Sequence, residues 1–86
     1  MEIIYSAKFA REYKKLPLKV KLIAEKRESL FRNDPYDIRL KTHKLQGGLS
    51  GFYSFSIGSK YRIIFEFGKD KNTIFFHSAG SHDIYQ

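Results

Sequence analysis

Three histidines, an arginine set inside an apolar run and a tyrosine near the end of the chain are the residues whose chemistry stands out. Imidazole titrates near neutral pH without perturbation, so each histidine could take or give a proton. His82 follows Gly80-Ser81, past the last apolar run, in a short tail closed by Tyr85. A histidine there is placed to reach a substrate. His43 lies in the segment leading into the second half, beside Lys44 and ahead of Gly47-Gly48. His77 stands between Phe76 and Ser78, where a half-buried structural histidine is the plainer reading. Arg62 interrupts Tyr61-Arg62-Ile63-Ile64-Phe65, and a charge there is costly unless it meets water or a partner. Its planar fork suits a phosphodiester. The alternatives are an arginine stretched across an exposed sheet face, or one paired with Glu66.

Other chemistries find no footing. There is no cysteine, hence no disulfide, thiolate zinc site or cysteine nucleophile. No Gly-rich phosphate loop, metal-spaced cluster or nucleophile elbow occurs, and no carboxylate pair suits glycoside hydrolysis. No metal and no cofactor is expected. What remains, His, Arg, Tyr and Ser beside a basic surface, are parts suited to RNA cleavage by transfer to the 2′-hydroxyl. One group removes the 2′-proton, one protonates the leaving 5′-oxygen, and a cation stabilises the phosphorane.

The elements that must position these residues follow from length and patterning. Eighty-six residues make a single domain, residues 1–86, with one core. At 42% hydrophobic and 16% aromatic the chain has enough to bury, so it is not disordered. No apolar run reaches the roughly 18 residues that cross a bilayer, and no leader opens the chain, so the expected address is the cytoplasm. The net charge of +7 is segregated. Residues 1–44 hold twelve basic and six acidic side chains, whereas residues 45–86 hold four and three. Such a half-chain fits a polyanionic partner better than a uniform solvating coat does.

Glu2 to Tyr5 reads as a short strand and Ser6 as a helix N-cap. Phe9, Tyr13 and Leu16 recur at helical spacing. Pro17 ends that helix and suits the first turn of another, which Leu18, Val20, Leu22, Ile23, Ala24, Leu30 and Phe31 carry to Asn33-Asp34-Pro35. Nine cations lie along these two helices. They could follow phosphates or pair with an acidic partner; a solvated helix surface is the alternative. Lys14, Lys15, Lys19 and Lys21, with Lys44 and Lys60, are the candidates for RNA or ribosome contact. From Phe52 the period changes to two, with Gly58-Ser59 and Gly68 to Asn72 as hairpin turns and a last strand over Thr73 to Ser78. The predicted fold class is α+β: two N-terminal helices on one face of a small, mainly antiparallel sheet of three or four strands. Ser54, Ser56 and Arg62 should line its open second face.

In order and spacing, the chain resembles the RelE/ParE superfamily of toxins from toxin–antitoxin pairs, closest to the RelE and YafQ-like mRNA interferases. The resemblance runs from Ser6-Ala7-Lys8-Phe9-Ala10-Arg11-Glu12-Tyr13-Lys14-Lys15-Leu16 through His43-Lys44-Leu45-Gln46-Gly47 and Gly51 to Ile57. It continues in Tyr61 to Phe65 and Gly80-Ser81-His82-Asp83-Ile84-Tyr85. It implies a toxin that enters the ribosomal A site and cuts mRNA without a metal, held in check by a cognate antitoxin protein. By position it implies catalytic roles for His82, Arg62 and His43, with Tyr85 as the terminal aromatic. Three departures touch the acid–base assignment. Lys60 stands where YafQ-like relatives carry an acidic residue, Ser56 where some carry a histidine or basic residue, and only two residues separate His82 from Tyr85. ParE-like relatives share the fold, poison DNA gyrase and generally lack the histidine pair. A relative that only binds antitoxin is the third reading.

Overall fold

A computed structural model describes residues 1–81. His82 and Tyr85 lie outside the described residues. The elements are β1 (Glu2–Tyr5), α1 (Ala7–Lys14), α2 (Leu18–Asn33), β2 (His43–Lys44), β3 (Tyr53–Ser56), β4 (Tyr61–Phe67) and β5 (Thr73–Ser81). The five strands form one sheet in the order β1-β5-β4-β3-β2. β1 runs parallel to β5 and the other pairings are antiparallel. The sheet thus has one more strand than the upper expectation of four. The addition is β2, two residues long and too short to show alternation.

Ser6 starts α1 as its spacing predicts. Its hydroxyl accepts from the Phe9 N–H at 2.9 Å and donates to the His77 carbonyl at 2.7 Å. That carbonyl needs a partner because β5 carries a bulge beside β4. The register passes from Ile64 opposite Ser78 to Phe65 opposite Phe76, leaving His77 as the extra residue. β1 pairs with β5 only as far as Phe76. Beyond that point α1 takes over the edge, and the Glu12 carboxylate accepts the Ala79 N–H at 3.1 Å. The helix satisfies backbone groups that an uncovered edge would leave to water or to another chain. Ser6→Ala should therefore lower unfolding stability by about 1–2 kcal/mol, read by urea denaturation, since it removes a cap and a strand contact together. A loss below about 0.3 kcal/mol would show that water replaces both bonds.

The helices cover one face of the sheet. Phe31 of α2 is fully buried, its ring 5.0 Å from Phe55, 4.9 Å from Phe65 and 5.4 Å from Phe76. Phe9, Leu16, Val20 and Ala24 complete the helical side, and Ile63 and Ile74 the strand side. Two residues assigned to the apolar stripe of α2 are not in the core: Leu18 is 72% and Leu22 52% exposed. At 100° per residue each lies some 200° from the residue two further on, so when Val20 and Ala24 face the sheet these leucines face solvent.

β5 also extends further than expected. Gly80 pairs with Arg62 and Ser81 with Tyr61, so the dipeptide read as the start of a tail is strand. Pairing with the long β4 offers Gly80 the ladder bonds that its own low strand propensity does not favour.

Candidate active site

The register sorts the candidate residues by face. Residues directly opposite one another in a ladder share a face. One row across the second face, away from the helices, is His43, Ser54, Ile64 and Ser78; the next is Ser56, Arg62 and Gly80. His43 and Arg62 are therefore on the same face, two strands and one pleat repeat apart, about 12 Å between Cα atoms.

This face is not the open polar surface that alternation predicts. Ser54 is fully buried, Ser78 and Ile64 nearly so, and Ser56 is 6% exposed. A pair of rings also crosses this face. Phe52, on the parity of Ser54, meets His77 with ring centroids 4.9 Å apart. β3 and β5 are separated by β4 and so stand roughly 9.5 Å apart. The two side chains must lean toward each other over β4, between the Ile64 and Glu66 rows.

Arg62 is half-buried. Its Nη1 donates to the Tyr61 carbonyl at 2.9 Å. The expected alternative of a pair with Glu66 is not seen: among the described residues the ion pairs are Arg32–Glu28 and Arg39–Asp37. Among the described residues this carbonyl is the partner of its five donors, which leaves most of the fork for an anion.

His43 is exposed on β2, and its Nδ1 lies 3.0 Å from the Lys41 carbonyl. A carbonyl only accepts, so Nδ1 carries the proton and, in the neutral ring, Nε2 carries the lone pair. Lys41 presents that carbonyl from a left-handed conformation, φ 54°, costly for a residue with a side chain. The preceding turn is fastened by Arg27, which donates to the Arg39 carbonyl, and by Asp37. Asp37 accepts from the Arg39 backbone and guanidinium, and those bonds hold its carboxyl down at about 2.

The cationic candidates divide. Lys44, opposite Tyr53, shares the helix-side face rather than that of His43. Lys14, Lys15, Lys19 and Lys21 lie along the helical layer, on the far side of the sheet from Arg62. The helix junction nevertheless stands at the end of the sheet where β5 finishes, since Glu12 binds Ala79. The β3–β4 turn is at the same end: Ile23 of α2 approaches Gly58, whose φ of +86° suits only a residue without a side chain. Lys60, exposed in that turn, thus joins the junction lysines on one rim beside Arg62. Glu12 is the positioning residue that sequence reading missed. Its signal is a carboxylate three residues after Phe9 and four before Leu16, at the border of the apolar stripe.

Among the described residues no three His, Cys, Asp or Glu side chains are grouped to hold a metal, and no helix is long and apolar enough to cross a membrane. The sequence matches no family model and no curated protein. Its likeness is to solved structures. It superposes on YafQ from E. coli with a TM-score of 0.79 at 18% identity, over 96% of this chain and 94% of that one. The chain has the fold of YafQ. The same toxin in the E. coli DinJ–YafQ toxin–antitoxin complex gives 0.76 at 18% identity, over 96% and 93% of the two chains. A metal-bound toxin from Helicobacter pylori gives 0.72 at 25% identity, over 100% and 99%. In this fold the helices back one face of the sheet, and His43 and Arg62 lie on the other.

Proposed function

We propose that the protein is the toxin of a toxin–antitoxin pair and cuts mRNA on the ribosome without a metal. The observation that carries this reading is Arg62: a guanidinium on the sheet face with no carboxylate partner among the described residues, in the row that ends at Gly80. The roughly 12 Å between the Arg62 and His43 backbones leaves room for a nucleotide between their side chains. In this reading Arg62 holds the scissile phosphate, and His82 and His43 share the proton work, with Tyr85 completing the site. The base takes the 2′-hydroxyl proton as the 2′-oxygen bonds to phosphorus. The bond to the 5′-oxygen breaks, and the acid protonates that oxygen. The products are a 2′,3′-cyclic phosphate and a 5′-hydroxyl.

An antitoxin partner fits α2. Leu18 and Leu22 are exposed one turn apart, and Lys15, Lys19 and Lys26 are exposed near them. That stripe suits an amphipathic segment with acidic flanks, and the DinJ–YafQ toxin–antitoxin complex shows a protein of this fold with an antitoxin bound. Affinity should fall as salt rises; indifference to salt would leave apolar anchors as the whole interface.

Primer extension on mRNA in a translating extract tests the activity. Ribosome-dependent cuts within codons support it. Intact mRNA with inhibited gyrase would favour a ParE-like toxin, and intact mRNA with antitoxin binding alone a non-catalytic relative. Reversing Lys14, Lys15, Lys19 and Lys21 to Glu should weaken ribosome association by tenfold or more, read by co-sedimentation, because each lost cation removes a phosphate contact. Single-turnover cleavage by protein already bound should change less than threefold. Collapse of that bound-state rate would place these lysines in the site.

A further inference from the structure

His77 plays no part in the mechanism above, yet the bulge aims its ring over the sheet toward Phe52. Bulges recur beside active sites, where they redirect a side chain that regular pleating would point elsewhere. The ring pair sits on the same face as Arg62 and His43. By register Phe52 faces Glu66 and His77 falls between Phe65 and Ile64, so the pair begins roughly 7–10 Å along the strand from the Arg62 backbone. Both rings are half-buried: each packs against the other and keeps an outer surface open. Phe75, 37% exposed, continues the aromatic surface on β5, opposite Glu66. A phosphate-binding cation followed along one face by aromatic surface is the arrangement that holds single-stranded nucleic acid, the cation tracking the backbone while bases stack.

We propose that the Phe52–His77 ring pair is a stacking subsite for an mRNA base close to the phosphate held by Arg62. The inference rests on the nuclease reading and adds to it the element that would orient the strand. A tilted pair, 39° between planes, presents an edge and a face rather than one flat slab. A single base is therefore the fitting occupant. Arg62, the cation on this same face, favours an RNA strand as the occupant, its phosphate held beside the stacked base.

The test uses ribosomes programmed with mRNAs that carry one 2-aminopurine in turn at each position of the A-site codon, with 2′-deoxy sugars to prevent cleavage. At one position the intact protein should strongly quench the fluorescence. Phe52→Ala should abolish most of that quench, and Phe52→Tyr should keep it. In a cleavable mRNA, an abasic nucleotide at that position should slow single-turnover cleavage by wild-type protein about tenfold or more, the worth of one stacked base. It should slow Phe52→Ala no further. The abasic arm needs no altered protein, so poor folding of a variant cannot blur it. Equal cleavage of abasic and base-bearing mRNAs at all three positions overturns the stacking subsite and leaves the nuclease reading intact. A Phe52-dependent quench with no cleavage of any mRNA overturns the nuclease reading instead and keeps the subsite.

Discussion

Replacing His82 with Ala is expected to slow single-turnover mRNA cleavage by about 10²–10⁴, the usual worth of a general acid or base. The barrier to 2′-transfer has two proton problems: a poor nucleophile must lose a proton and a poor leaving oxygen must gain one. His43 is arranged for the first. Its Nδ1 is committed to the Lys41 carbonyl, which leaves Nε2 as the nitrogen with the lone pair. If His43 is the base, His82 is the acid, and the two roles separate experimentally. A 5′-thio leaving group departs without protonation, so it should restore most of the rate lost in His82→Ala and little of that lost in His43→Ala. The reverse pattern would exchange the roles. His43→Ala should cost less than His82→Ala, because an exposed base at a sheet edge can be partly replaced by water. Chelators should leave the wild-type rate unchanged. Full activity in His82→Ala would sink the assignment of this residue.

Much of the scaffold was legible because its signals are local. Ser6 caps α1, Pro17 begins α2, and Phe9 and Leu16 reach the core as their spacing demands. What could not be read arises from pairing between distant segments. β1 joins β5 in parallel across almost the whole chain, and Gly80-Ser81 becomes strand only because β4 is long enough to meet it. The bulge at His77 has no residue signature of its own, since an extra residue is defined only against its partner strand. That one residue changes the second face. Strict alternation opens Ser54 to solvent, whereas in the fold Ser54 is fully buried and the bulged ring meets Phe52 across β4. Leu18 and Leu22 show the opposite error. They fit a helix of any orientation, and only the choice of Val20 and Ala24 as the inward residues turns them to solvent. For the site, the type of Arg62 and its place on the second face follow from periodicity. The absence of a carboxylate partner among the described residues does not.

Replacing Arg62 with Ala is expected to lower cleavage by about 10²–10³ while leaving the fold intact. In the phosphorane the two non-bridging oxygens gain charge, and a donor fork aimed at them stabilises that state more than the ground state. Among the described residues nothing competes for the fork: its bond there is to the neighbouring Tyr61 carbonyl, and the ion pairs lie elsewhere. The same facts predict the stability result. Removing a guanidinium that bonds no other side chain among the described residues should shift the unfolding free energy by no more than about 0.5 kcal/mol. Arg62→Lys should recover only part of the rate, because an ammonium replaces the charge but not the planar pair of donors. The partial rescue separates two mechanisms. If charge alone matters, Lys restores nearly everything; if bidentate geometry matters, the rate stays at least tenfold low although the charge is back. A large loss of stability in Arg62→Ala would instead make this arginine part of the architecture, and the residue that holds the phosphate would have to be sought among the cations of the Lys60 rim.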